Sequence, residues 1–168
     1  VELGSGASTM LAAQQLKKNG TGKVIALDHQ QKWTNRTRNE LHQHDLEKWA
    51  EVRFAPLTEV QSEGRTSRWY DPTSLQDATK IDVLLVDGPY DLNDSGQRRP
   101  GLTLLEDRFH DNTVILADDA ERRNWNMWLK KWAKNHGFIT EKLFFGDEGG
   151  GMLLYKPGST FHQFREGE

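Results

Sequence analysis

At 168 residues the chain has the length of one domain, long enough to bury a real core. Its formal charge of −3 gives no general attraction to nucleic acid or an anionic membrane, and the absence of cysteine excludes disulfides and thiolate metal sites. Only 35% of residues are hydrophobic and no run approaches the roughly 20 apolar residues of a membrane span, so the core must come from short, concentrated strands.

In chain order, Val1–Leu3 reads as the stub of a first strand; the expectation is a chain that starts inside that strand and lacks what precedes it. Met10, Leu11, Ala13 and Leu16 form the stripe of a helix from about Ser8 to Asn19, which Asn19-Gly20 stops. Lys23–Leu27 (KVIAL) is a second strand ending at Asp28, followed by a helix over Gln30–His44 and a third strand at Val52–Ala55. Ile81–Val86 (IDVLLV) is the clearest buried strand and closes on Asp87-Gly88. Leu102–Phe109 reads as helix, Thr113–Ala117 (TVILA) as a fifth strand, and Glu121–His136 as an amphipathic helix. In that helix Trp125, Trp128, Leu129 and Trp132 share one face, which predicts a helix packed on a sheet with its lysines in solvent. Ile139–Phe145 and Met152–Tyr155 flank GDEGGG with the spacing of an antiparallel hairpin.

This alternation predicts an α/β domain over 1–168: a mostly parallel sheet with helices on both faces, an antiparallel strand at its end, and residues 157–168 as a C-terminal tail. There is no internal repeat. Two polar stretches, Thr58–Ser74 and Tyr90–Gly101, are expected to be long loops at the sheet edge where such folds bind ligands.

Gly4-Ser5-Gly6, between a strand and a helix, has the composition of a turn that brings a ligand against bare backbone N–H groups. The dinucleotide fingerprint requires a third small residue where Thr9 stands, and Glu2 is a poor neighbour for a pyrophosphate. An acid there suits a cofactor carrying positive charge. Asp28, about 20 residues past the turn, has the position of an acceptor for ribose hydroxyls.

Four segments together carry a resemblance: E-L-G-S-G-A-S-T at the start, Asp28-His29, V-D-G-P at 86–89 and L-A-D-D-A at 116–120. They resemble a class I S-adenosylmethionine-dependent methyltransferase, and within that superfamily are most similar to methyltransferase family 24. The resemblance runs from Val1 to about Lys156. It implies a Rossmann-like, doubly wound, seven-stranded, mostly parallel sheet with a C-terminal antiparallel β-hairpin. It also implies that Glu2, Gly4, Ser5, Gly6 and Ser8 hold the methionine portion and backbone face of the cofactor, with Asp87 close by. Asp28 would hold the ribose with His29 or Trp33 near it, and Pro56 and Leu57 would border the adenine.

Asp87, Asp118 and Asp119 end strands expected to be neighbours, and three converging carboxylates need a proton or a cation among them. An oxygen-only set suits Mg²⁺, and relatives that methylate sugars look similar here in binding magnesium. The chain departs from those relatives at Pro89, and at Ala120, where they commonly carry an aromatic. With or without the metal, Asp87 or Asp119 is expected to accept the proton of the acceptor. The alternative for Asp118 is a cap on the following helix. Arg98 and Tyr90, in the loop after strand four, are candidate substrate contacts; Arg98 with Pro100 matches an R-x-P element of family relatives.

The expected protein is a cytoplasmic S-adenosylmethionine-dependent methyltransferase that methylates a small-molecule acceptor at oxygen, with Mg²⁺ as a candidate second cofactor and without a nucleic-acid or membrane partner. An NAD-dependent oxidoreductase and a non-catalytic methyltransferase-like binding domain are the alternatives.

Overall fold

A computed structural model describes residues 1–90, 96–144 and 149–167. In chain order, β1 (Glu2–Leu3), α1 (Ala7–Asn19), β2 (Val24–Asp28), α2 (Gln31–Gln43) and β3 (Ala50–Phe54) build one half. Then come β4 (Leu57–Ser62), β5 (Arg65–Tyr70), β6 (Val83–Val86), α3 (Pro100–Thr103) and β7 (Val114–Ala117). The chain closes with α4 (Arg123–Asn135), β8 (Ile139–Phe144), β9 (Gly150–Tyr155) and α5 (Thr160–Glu166).

Seven strands form one sheet in the order β3-β2-β1-β6-β7-β9-β8. The first five in that order run parallel, while β9 is antiparallel to both β7 and β8. This is the doubly wound sheet with a terminal hairpin that the alternation of elements predicts. Residues 145–148, which include Phe145 and part of GDEGGG, lie outside the described residues, as do 91–95 of the Tyr90–Gly101 stretch.

Strand alternation sends side chains to two separate cores. Leu3, Leu27, Leu84, Val86, Ile115 and Ala117 face one side and share a core with Trp125, Leu129 and Trp132 of α4 and with Trp69, Tyr70 and Leu102. On the other face Val24, Ala26 and Val52 pack against Ala13 of α1 and Leu41 of α2. Each fully buried large aliphatic stabilises the fold by about 1.5–3 kcal/mol. The tryptophan stripe is therefore core, as its helical spacing predicts.

The structure corrects the reading of Thr58–Ser74 as loop. Leu57–Ser62 and Arg65–Tyr70 pair antiparallel in a separate two-stranded sheet, from Leu57 opposite Tyr70 to Ser62 opposite Arg65. The two-residue Glu63-Gly64 connection is a turn length that favours hairpins, and it was the signal in the sequence. The hairpin stands because its base is apolar and its tip is tied down. Trp69 and Tyr70 are 0% and 1% exposed, and at the tip Trp128 Nε1 of α4 donates to Glu63 Oε2 at 2.9 Å. The C-terminal stretch is likewise not all tail: Thr160–Glu166 is α5, where Ser159 Oγ accepts from His162 N at 3.1 Å. The helix expected over Leu102–Phe109 is shorter and earlier, with α3 followed by a 3₁₀ turn at Glu106–Arg108.

Candidate active site

The order of strands reverses around β1, which has β2 on one side and β6 on the other. Loops leaving such a point diverge to opposite faces and open a crevice between them. A cavity of about 670 Å³ lies there, within the range of small-molecule sites. Its floor is the Gly4–Gly6 turn. Gly4 takes φ 100 and donates its N–H to Leu27 O at 2.9 Å, which pins the turn to the end of β2.

Glu2 faces the other way. It is 3% exposed, and its carboxylate accepts from the hydroxyls of Ser8 and Thr9 in the first turn of α1. Thr9 Oγ1 in turn accepts from Gly6 N at 3.0 Å. Neither Glu2 nor Ser8 lines the cavity; both line a groove on the α1 side of the sheet. Burial pushes the Glu2 carboxyl above its ordinary value, against the pull of the two hydroxyls. The acid and Thr9, which in the sequence argue against a pyrophosphate, thus anchor the turn to its helix.

Asp28 lies beside the turn at the end of β2. Its Oδ2 accepts from Ser5 Oγ at 2.9 Å and Oδ1 from Gln30 N at 2.9 Å. His29 and Trp33 line the cavity next to it. Burial pushes His29 below its usual value, so its half-buried ring is neutral at neutral pH. Pro56 and Leu57 do not line this cavity. The Pro56 carbonyl accepts from Asp71 N at 3.0 Å, and Leu57 packs against the core at the start of the hairpin.

The carboxylates do converge. Asp87, Asp118 and Asp119 bring one oxygen each within 4.8 Å of one another. Asp118 is not a helix cap, because α4 begins only after Arg122. Asp119 is held at φ 54, a left-handed conformation that Asp tolerates better than most residues, which aims its side chain back at Arg98. Arg98 is drawn inside, 5% exposed, rather than extended toward solvent. Its Nη2 lies 2.7 Å from Asp119 Oδ2 and 3.5 Å from Asp87 Oδ1, while Nη1 donates to the Asp118 carbonyl at 3.0 Å. Arg122 Nη2 reaches the same Asp119 oxygen at 2.8 Å. Desolvation by the cavity walls, then the Asp118 charge, push the Asp87 carboxyl up to about 6. Tyr90 is 59% exposed at the rim.

Several residues of the cavity wall, among them Arg36, Glu40 and Arg122, were not singled out in the sequence. Arg122 follows Asp119 by three positions, and the D-D-A-E-R spelling was its only signal. Tyr70, in the stretch read as loop, is both buried in the hairpin and part of the cavity wall. No hydrogen bond to its hydroxyl is found among the described residues, and burial raises the phenol well above its usual range, so it stays protonated.

A mostly parallel seven-stranded sheet of this order, closed by the antiparallel β9 and with a glycine turn at its reversal point, is the arrangement of a class I S-adenosylmethionine-dependent methyltransferase. A family model described as a methyltransferase domain, family 24, matches residues 1–120, and the chain belongs to that family. No curated protein matches the sequence. Among solved structures, the fold is similar to an O-methyltransferase from Bacillus cereus in complex with S-adenosylhomocysteine, at 19% identity and a TM-score of 0.67, over 92% of this chain and 72% of that one. It is also similar to a Podospora anserina methyltransferase bound to S-adenosylhomocysteine, at 12% identity and TM-score 0.63, over 93% and 70%. A third, a candidate rRNA-methylase from Clostridium thermocellum, aligns at 13% identity and TM-score 0.61, over 94% and 87%. No helix among the described residues is long and apolar enough to cross a membrane.

Proposed function

We propose that the cavity binds S-adenosylmethionine over the Gly4–Gly6 turn with its ribose toward Asp28, and transfers the methyl group to the oxygen of a small-molecule acceptor. The observation that carries this reading is the presence of the turn, Asp28 and Asp87 in the wall of one cavity at the strand reversal. The sulfonium is already activated, so holding donor and acceptor in line supplies much of the rate. Asp87, with its carboxyl near 6, is ionised at neutral pH and still basic enough to take the acceptor's proton as the new C–O bond forms.

Magnesium, suggested by the three acids, does not fit the residues around them: Arg98 and Arg122 already supply the positive partners of Asp119, so Asp87 acts as base without a metal step. The arginines of the cavity also bear on the acceptor. A nucleic-acid acceptor, which the similarity to an rRNA-methylase raises, is bound through cations facing phosphates. Arg98 and Arg122 instead face Asp119 and Arg36 pairs with Glu40 at 3.0 Å, and this favours a small acceptor. Isothermal titration with S-adenosylmethionine, S-adenosylhomocysteine and NAD tests the assignment: binding of the first two is expected. Tight NAD binding with no response to the methyl donor would sink it, and donor binding without methylation across a broad acceptor screen would favour a non-catalytic domain.

A further inference from the structure

We infer that Arg98 occupies the position a divalent cation would take among Asp87, Asp118 and Asp119, so that the cluster is closed to metal and methyl transfer in this protein is metal-independent. The geometry is that of an internal cation. The guanidinium bridges the ends of β6 and β7, touching the carboxylates of Asp87 and Asp119 and the carbonyl of Asp118. One oxygen from each acid lies within 4.8 Å of the others, and Nη2 contacts two of the three carboxylates. A Mg²⁺ ion would need carboxylate oxygens drawn in to about 2.0–2.1 Å, and Nη2 already stands against oxygens of two of those acids.

A metal does not displace this group easily. Arginine cannot lose its proton in a protein, so the guanidinium can leave only by swinging out bodily. Its side chain is 6% exposed, and swinging out must break its contacts to Asp119 at 2.7 Å and to the Asp118 carbonyl at 3.0 Å together. Asp119 is doubly engaged as well, because Arg122 donates to the same oxygen at 2.8 Å.

The charge balance points the same way. Three carboxylates facing two guanidinium groups leave one negative charge, which matches a sulfonium donor. A divalent ion in place of Arg98 would cancel that charge and leave the sulfonium without a net negative neighbour. Arg98 is on this account a positioning residue: it fixes Asp87 and Asp119 relative to each other and leaves Asp87 as the base. This consequence for catalysis rests on the reading of the cavity as the methyl-transfer site; the cation geometry does not.

Manganese is the probe. The protein, stripped with EDTA, is titrated with Mn²⁺ by electron paramagnetic resonance and by calorimetry, alongside Arg98→Met, Asp118→Asn and the double variant. Wild type is expected to show no site tighter than millimolar. Arg98→Met, folded by circular dichroism, is expected to bind Mn²⁺ at least ten-fold more tightly, and Asp118→Asn in that background to abolish the gain. Micromolar Mn²⁺ binding by wild type that Asp118→Asn removes overturns the inference, as does a folded Arg98→Met with no gain. Should Arg98→Met not fold, the wild-type and Asp118→Asn titrations decide alone. S-adenosylhomocysteine titrated into the same samples reports separately on the proposed function, so the two readings fail independently.

Discussion

The hydroxyl of Tyr70 stands where Gly88 would carry a Cβ. Gly4 N and Leu3 O lie 3.2 Å from the same point, so the glycine turn, the loop after β6 and the last residue of the hairpin meet there without room for another carbon. Gly88→Ala is therefore expected to destabilise the protein by about 1–3 kcal/mol, as overpacking does. At this size that is a fall in melting temperature of roughly 2–12 °C. A variant that melts within a degree of the parent in thermal circular dichroism would contradict the packing described.

The same hydroxyl faces the cavity and is met by no described donor or acceptor. Since it stays protonated, it is predicted to donate to an oxygen of the bound cofactor. A net hydrogen bond contributes about 1 kcal/mol, so Tyr70→Phe should weaken S-adenosylhomocysteine binding about five-fold. The melting temperature should hardly change, because the hydroxyl that is removed faces the cavity and the ring keeps its packing. Calorimetry showing unchanged affinity would mean that the hydroxyl only packs.

Asp87 sets the expected pH dependence. As base it must be ionised, so kcat/KM should rise with unit slope below about pH 6, in line with the raised carboxyl, and level off above it. Coupling to Asp118 makes that value a property of the cluster. Asp87→Asn should cost about 10²–10⁴-fold in rate and erase the acid limb. The stability effect has the opposite sense. A raised carboxyl favours the folded state while protonated, and that contribution is lost as pH rises through about 6. Asp87→Asn should accordingly melt higher than wild type at pH 8, with the gap closing near pH 4. A constant gap across this range would count against the assignment.

At the far edge of the sheet the sign reverses. Arg53 donates to Asp77 at 2.6 and 2.8 Å and to Glu51 at 2.8 Å, and it holds both carboxyls down to about 2. Their contribution is complete above the ordinary carboxylate range, near 4.5 and 3.8, and is lost as pH falls through about 2. The melting temperature of Arg53→Met should therefore lie below wild type at pH 6 and converge with it toward pH 2. Parallel curves in that acid window would show that the pairs contribute nothing, as exposed pairs often do.

Much of the architecture was legible in the residues because it is encoded locally. KVIAL, IDVLLV and TVILA are short β-branched or aliphatic runs between amphipathic stretches, and Gly4-Ser5-Gly6 before a helix marks the strand reversal. The β4–β5 hairpin was missed because its strands are mostly polar on one side and are held by Trp69, Tyr70 and the Glu63–Trp128 contact, which link residues far apart in the chain. Its Glu63-Gly64 turn was visible, yet a turn alone does not report whether the strands beside it find a core.

The candidate site divides in the same way. By itself the sequence determined the turn, the acids at the ends of β2, β6 and β7, and the family, since each depends on neighbours within a few residues and on the periodicity of strands. Only the tertiary structure decided where those groups point. Glu2 turns to α1, Tyr70 enters the cavity from the hairpin, and Arg98 folds in between Asp87 and Asp119. Those choices follow from which loop closes over which strand end, and from the cost of leaving buried carboxylates without a positive partner, which is met by a guanidinium 20 residues before Asp118 in the chain.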